Sequence, residues 1–430
     1  MNVKTGNTGT SKTTSWKVVL PFYLYAAIAF FVATILLLIS APDITKHYFT
    51  PHVLATTHIM ALGWGTMMIL GASHQLVPVM IEGELYSDNL AYISFVLAAL
   101  GIPLLAYGFY VFDMGWPAKW GGGLVISAIV AYLINLSVSM VKSGHENIHA
   151  VFVFTAALWL LTTAIAGLFL VYNFSYPLLP ASSIAYLPLH AHMGIVGWFL
   201  LLVTGIGSRL IPMFLISKYN NIQQLWWIYG LINGGLLAFV FFFLYSDSRL
   251  LLVLPLLAVS AAIALFCNFC YRSYQQRIRK QLDEQMKLSL LSVLMMSLPL
   301  IFLVLNIISL IILPKENTKL VTTYGFIIFF GWITAIILGM TFKTLPFIVW
   351  NKVYLRLAGK GKTPNPKELF SDKIFNRMSL AYISGFLLFP AGMLLHYTFI
   401  LQSAAVLLIL TSFLYNWNVI KIMMHKPVLL

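Results

Sequence analysis

Charge is what this sequence has least of. Only 9% of its 430 residues are charged, and 12 of them are acidic. With 60% hydrophobic residues and a mean hydropathy of +0.90, a water-soluble domain of this size is excluded, because too little polar surface is left to cover it. Cysteine is nearly absent, at two residues, which excludes a disulfide-stapled scaffold. No CxxCH motif occurs, so covalent attachment of a c-type heme is excluded as well. All twelve acidic residues fall in or beside expected loops, which leaves no mid-membrane carboxylate for a proton relay. Strands of alternating polarity are missing too, so a transmembrane barrel is excluded.

What is there in abundance is long apolar runs. Runs of roughly 20 residues or more, enough to cross about 30 Å of hydrocarbon, fall near 17–41, 52–80, 89–111, 118–141, 147–172, 186–216, 223–245, 249–271, 286–313, 320–350, 378–395 and 398–423. Lipid cannot satisfy backbone polar groups, so these twelve runs are expected to be helices. The fold class is all-α integral membrane, one membrane domain over 1–430. A polar tail of seventeen residues precedes the first run, and no short apolar region with a small-residue cleavage site follows it, so no removable signal peptide is expected.

One stretch recurs. Residues 58–78 read HIMALGWGTMMILGASHQLVP, 192–212 read HMGIVGWFLLLVTGIGSRLIP and 326–346 read FIIFFGWITAIILGMTFKTLP. Each carries Gly-Trp, then Gly seven and Pro fourteen residues after the Trp: Trp64/Gly71/Pro78, Trp198/Gly205/Pro212 and Trp332/Gly339/Pro346. Both spacings are 134 residues. The chain therefore reads as three pseudo-symmetric four-helix repeats, about 17–145, 146–283 and 284–423. The tryptophans are expected to mark packing near a pseudo-threefold axis.

The net charge of +14 is read as topology rather than as affinity for nucleic acid, because the basic residues crowd short loops. Arg272, Arg277, Arg279, Lys280 and Lys287 lie in one such loop, and seven more Lys and Arg lie in 352–377. Both loops share a side with the two termini in a twelve-span chain, which makes that side cytoplasmic. The segment 359–368, GKGKTPNPKE, reads as a solvated loop.

Histidines then sort by depth. His58 and His192 are repeat-equivalent, near the outer ends of the second and sixth runs, and Phe326 takes that place in the third copy. His190 lies two residues before His192, with Thr56 and Tyr324 as its equivalents. His47, His52 and His396 are also on the outer side. His74 is sixteen residues below His58, about 24 Å along a helix, and belongs with His145 and His149 on the cytoplasmic side. His58 and His74 cannot serve one centre.

Twelve helices in three four-helix arcs, with histidine on the second helix of an arc, resemble subunit I of the heme-copper oxidases and its nitric oxide reductase and cbb3-type relatives. The H-x4-GW…G…LP wording, with SRLIPMF near the sixth run, also looks like the heme- and copper-containing NnrS membrane proteins. By motif position, the resemblance matches His58 to a heme-iron ligand and His190 or His192 to a copper ligand. It implies b-type heme and copper as cofactors, a cytochrome or quinol electron donor, a bacterial inner membrane, and oxidoreductase work in respiratory electron transfer or in nitric oxide or oxygen handling. This chain departs from the oxidase pattern: residues 320–350 and 223–271 hold no histidine. A degenerate binuclear centre without proton pumping is the expectation.

Imidazole is the usual neutral ligand for iron, copper or zinc in a membrane. A bis-histidine heme needs two imidazoles at one depth. His58 and His192 meet that condition, and Gly63, Gly65, Gly194 and Gly197 leave room for a macrocycle. A copper site of His52, His58, His190 and His192 competes, and so does a purely structural role in bonding helices together. A different class of function rests on HENIH at 145–149, a literal HExxH. His145 and His149, with His74 at similar depth, would ligate zinc, and Glu146 would act as general base of an intramembrane protease. A non-catalytic metal transport or assembly factor is the remaining alternative. Arg209 and Lys343 are repeat-equivalent and are expected to snorkel to the interface. Cys267 and Cys270 form a CxxC expected to be ordinary helix packing.

Overall fold

The computed structural model describes residues 14–144, 147–312, 317–355 and 362–427. Among them, twelve helices are long and apolar enough to cross a membrane. They are α1 (Trp16–Ser40), α2 (Pro51–Met80), α3 (Asp88–Tyr110), α4 (Trp116–Ser143), α5 (Ile148–Asn173), α6 (Ser183–Leu215), α7 (Ile222–Tyr245), α8 (Leu250–Gln275), α9 (Glu284–Ile312), α10 (Thr318–Tyr354), α11 (Asp372–Leu395) and α12 (Thr398–Met423). No strand occurs among the described residues, only an isolated bridge between Ser217 and Arg277. The chain is an integral membrane bundle, and apolar side chains such as Leu100, Leu237, Leu257 and Leu387 face outward into lipid. The first apolar turn of α11 escapes a hydropathy reading because Asp372, Lys373 and Arg377 interrupt it. Ser371 starts that helix by accepting a hydrogen bond from the Ile374 amide.

The recurring stretch lies on α2, α6 and α10, and these three are the inside of the bundle. Buried residues make up 61%, 78% and 83% of their central windows, against 22–50% in the other nine helices. The repeated glycine explains how they pack. A Cβ on Gly71 would sit 2.7 Å from Phe22 Cβ of α1, on Gly205 2.3 Å from Phe152 Cβ of α5, and on Gly339 2.2 Å from Ser289 Oγ of α9. α2, α6 and α10 therefore cross α1, α5 and α9 at a distance only glycine permits.

The repeated proline removes a backbone donor and frees the carbonyl four residues earlier. For Pro78 that carbonyl belongs to His74, and the Thr14 hydroxyl donates to it at 2.7 Å. The repeated tryptophans join the inner helices. Trp64 Nε1 donates to Thr334 Oγ1 at 3.1 Å and Trp198 Nε1 to Thr66 Oγ1 at 3.0 Å. Thr66 and Thr334 occupy equivalent places 268 residues apart, twice the spacing of the motif; the place between them holds Leu200, which has no acceptor.

One feature has no signature in the hydropathy pattern. Each inner helix is π-helical over one segment: Ile59–Thr66, Met193–Leu200 and Ile327–Ile333. Each begins directly after His58, His192 or Phe326 and runs up to or past the Gly-Trp pair. A π segment shifts the register of everything beyond it and is characteristic of functional positions in helices.

Candidate functional site

A cavity of about 770 Å³ opens among the inner helices on the side of His58, and His58, His190, His192 and Tyr324 all line it. On one flank of α6 its wall comes from α3, α4 and α5, through Leu105, Phe109, Gly122 and Gly167. On the other flank it comes from α7, α8 and α9, through Leu236, Phe239, Leu256 and Asn306.

His58 and His192 are held in the same way. The Nδ1–H of His58 donates to the Leu54 carbonyl at 2.8 Å, and that of His192 to the Pro188 carbonyl at 2.7 Å, each four residues back on its own helix. A carbonyl can only accept, so both rings carry their proton on Nδ1 and leave Nε2 as an acceptor. Each ring also rests on a phenylalanine of the next spanning helix, His58 on Phe109 of α3 at 4.5 Å and His192 on Phe239 of α7 at 5.0 Å between centroids. Phe326 continues the series against Phe389 at 3.9 Å.

The pairing between units runs differently from the sequence expectation. His58 meets His190, not His192: their ring centroids are 6.3 Å apart and the planes are within 19° of parallel. His190 reaches across to α5, where its Nδ1 donates to the Thr163 carbonyl at 3.1 Å. Its ring lies over Gly167, where a Cβ would come within 2.8 Å of Cε1. His192 instead meets Tyr324 of α10, whose hydroxyl is 3.2 Å from its Nε2. The physical reason is the ring-like order of the three inner helices. The position of His58 on one faces the position of His190 on the next, so residues at one repeat position never face each other.

Two metal–nitrogen bonds of about 2.0–2.1 Å each, with the half-widths of two imidazoles, add to roughly 6 Å. The His58–His190 centroid separation is of that size, and an apolar cavity lies beside the two rings. Neither Nε2 has another hydrogen-bond partner among the described residues.

The other histidines stand apart. His52 is half-buried in the first turn of α2, 3.4 Å from Asp43 and 4.9 Å from the Tyr110 ring. A hydrogen bond from Lys46 keeps the Asp43 carboxyl below its ordinary value. The four-histidine set of His52, His58, His190 and His192 does not converge: no group of three or more His, Cys, Asp or Glu able to hold a metal exists among the described residues. His149 bonds through Nδ1 to the Gly205 carbonyl and the Ser208 hydroxyl, both at 3.0 Å. His74 bonds to the Leu70 carbonyl at 2.7 Å and is packed between Phe22 and Tyr132. These are separate helix-packing contacts. His145 and Glu146, on which the HExxH reading rests, lie outside the described residues.

Lys343 departs from expectation. It is buried and ion-paired with Asp283, the N-cap of α9, and Arg279 joins the same carboxylate at 3.2 Å. Burial pushes the Asp283 carboxyl up, but the Lys343 hydrogen bond and charge, with Arg279, bring it below its usual value. Its equivalent Arg209 is exposed, as snorkelling requires. Cys267 lies 3.6 Å from the Val293 carbonyl and Cys270 is buried, both in helix packing.

The fold and cavity define a class: a twelve-helix membrane bundle whose three inner helices carry the polar groups of a central apolar slot. That fold is also found among solved structures. The chain superposes on a heme-copper terminal oxidase, solved by cryo-EM as a dimer, with a TM-score of 0.66 at 12% identity, covering 95% of this chain and 84% of that one. At that identity the likeness is one of fold. No family model matches the chain, and no curated protein matches it in sequence.

Proposed function

We propose that this protein is a membrane hemoprotein that holds a b-type heme between His58 and His190 and serves electron transfer, or nitric oxide or oxygen handling, in a respiratory membrane. The observation that carries this reading is the near-parallel pair of imidazoles 6.3 Å apart with unengaged Nε2 atoms beside a large apolar cavity. A b-type heme bound there supplies one-electron chemistry. The protein's own contribution is legible in the residues. Leu54 and Thr163 carbonyls fix the tautomer and direction of the two rings and raise their basicity as ligands. Gly167 leaves the space over which the His190 ring lies, and the wall of Leu105, Phe109 and Val171 keeps water out.

The centre is degenerate relative to a binuclear site in this reading. His192 is engaged by Tyr324 and the third equivalent position is Phe326, so two imidazoles remain where more ligands would be needed. The acidic residues of the described spans lie in their first turns, as Asp88, Glu284 and Asp372 do, which supports transfer without proton pumping. The threefold repeat, with units near 17–145, 146–283 and 284–423, is supported by the 134-residue recurrence of π segments, glycines and Trp–Thr bonds. The basic loops support termini on the cytoplasmic side, and the reading as a whole suits a bacterial inner membrane with a cytochrome or quinol donor.

The test is heme and metal analysis of the full chain purified from heme-replete cells, with nitric oxide and oxygen consumption on the same sample. Heme at about one per chain supports the reading. Copper without heme would assign the same two imidazoles to copper, and zinc without colour would favour the protease. A protein free of all three would leave only the scaffold.

A further inference from the structure

Arg209 and Lys343 hold one place in two repeats, and only Lys343 has a counter-ion. The 134-residue spacing that carries Arg209 onto Lys343 also carries His149 onto Asp283. In the third unit Asp283 gives Lys343 its carboxylate. In the second, His149 stands against the same turn of the inner helix, bonded to the Ser208 hydroxyl beside Arg209 at 3.0 Å, and an imidazole brings no negative charge. Arg209 itself has no hydrogen bond or ion pair among the described residues. It lies six residues before Leu215, the last residue of α6, and so about 9 Å inside the helix. An unpaired guanidinium at that depth calls for an anion from outside the chain.

The neighbouring helices say what form that anion takes. Gly205 and Arg209 lie one turn apart on one face of α6. At Gly205 the face is closed. Phe152 of α5 packs on it, the Phe152 ring meets Tyr229 of α7 at 5.3 Å, and Tyr229 meets Trp226 at 5.6 Å between centroids. One turn further on the face opens, and Arg209, Met213 and Ile216 are exposed along it. The α7 side of this notch carries Trp226 and Trp227, both exposed, as aromatic residues at the level of lipid headgroups are. An occupant must therefore be negative where it meets Arg209 and apolar where it meets the outer faces of α5 and α7. A soluble anion lacks the apolar part, and a zwitterionic lipid brings a second cation to a site that already has one.

We infer that the notch between α5 and α7 over Arg209 binds an anionic phospholipid. The guanidinium takes the phosphate through its paired N–H donors, which suit two phosphate oxygens at once. The acyl chains lie along the lipid face of α5 and α7, where Leu158 and Leu237 are exposed. The lipid thus does for the second unit what Asp283 does for the third. The inference concerns binding alone, and it stands whether or not the protein holds heme.

The experiment is competition between phosphatidylglycerol and phosphatidylcholine of one acyl composition for the detergent-purified full chain, with the lipid retained per chain counted by mass spectrometry. Phosphatidylglycerol is expected to be retained about fivefold over phosphatidylcholine, as one basic residue at a membrane surface provides. Arg209→Gln is expected to erase that preference, and Lys280→Gln, which removes a charge from the exposed loop after α8, to leave it unchanged. His149→Asp, which gives Arg209 a carboxylate of its own, is expected to erase it as well. Equal retention of the two lipids by the wild type would overturn the inference, and so would a preference that survives Arg209→Gln or that Lys280→Gln lowers as much. Inorganic phosphate that displaces the lipid further than sodium chloride of equal ionic strength would assign the notch to a soluble anion and overturn it too. Should Arg209→Gln fail to fold, His149→Asp and the comparison of the two lipids decide.

Discussion

Two equivalent places in the bundle have opposite contents. At the α2 position, His58 rests on Phe109, meets His190 and borders open space. At the α10 position, Phe326 lies 3.9 Å from Phe389 and 5.1 Å from Phe330 by ring centroids, in near-parallel stacks that meet the same cavity with aromatic rings instead of an imidazole. Both follow the same backbone plan, with a π segment starting one residue later. One place turns an imidazole to the cavity; the other gives its volume to aromatic packing. The difference teaches that the same backbone plan can serve a polar group or a packed one. Packing dominates at α10, whereas the paired imidazoles lie between α2 and α6.

The third unit should therefore be the sensitive one. Lys343→Met leaves Asp283 buried without its main partner and is expected to cost about 3–5 kcal/mol, with Lys343→Met/Asp283→Leu recovering most of it. Unfolding in detergent, followed by circular dichroism, measures both; an equal loss in the double variant would show that the pair is not what holds α9 to α10. The same pair sets an acid limit. Since the folded-state carboxyl lies below its ordinary value of 3.8, its contribution is present above that value and is lost only as the pH falls through the folded one. Wild type should lose stability steeply below that point, and the double variant much less so.

Emptying the aromatic stack comes next. Phe326→Ala is expected to cost about 3–4 kcal/mol through the cavity it leaves, while His58→Ala in heme-free protein loses one hydrogen bond and costs about 1 kcal/mol. Equal costs would remove the distinction between a packed and an open place. The smallest effect concerns the bonds between inner helices. Trp198→Phe, which removes the bond to Thr66, is expected to cost about 0.5–1.5 kcal/mol. Trp332→Phe, facing Leu200 in the ring order, should cost less, and a larger cost there would break the proposed order of the three helices.

Much of this was readable in the chain, for reasons that also explain what was not. Apolar runs reported the helices because lipid imposes length and composition together, and the GW…G…P wording singled out α2, α6 and α10 because their packing tolerates few residues. Residue depth grouped His58 and His192 with Phe326, and all three line one cavity. It could not say which faced which: that depends on the angular position of each inner helix, which the π segments reset. His190 was among the candidates read from the sequence; what the period could not supply is the order of the three inner helices, which puts His190 and not His192 beside His58. Lys343 was misjudged because a basic residue near a helix end usually reaches water, and only the fold shows Asp283 arriving from α9.

The most direct measurement is the reduced-minus-oxidised optical spectrum of His190→Ala beside His192→Ala, each purified from heme-replete cells. Heme bands that disappear in His190→Ala and persist in His192→Ala are the predicted result. Bands that persist in His190→Ala and vanish in His192→Ala would contradict the pairing of His58 with His190, and with it the heme site proposed here.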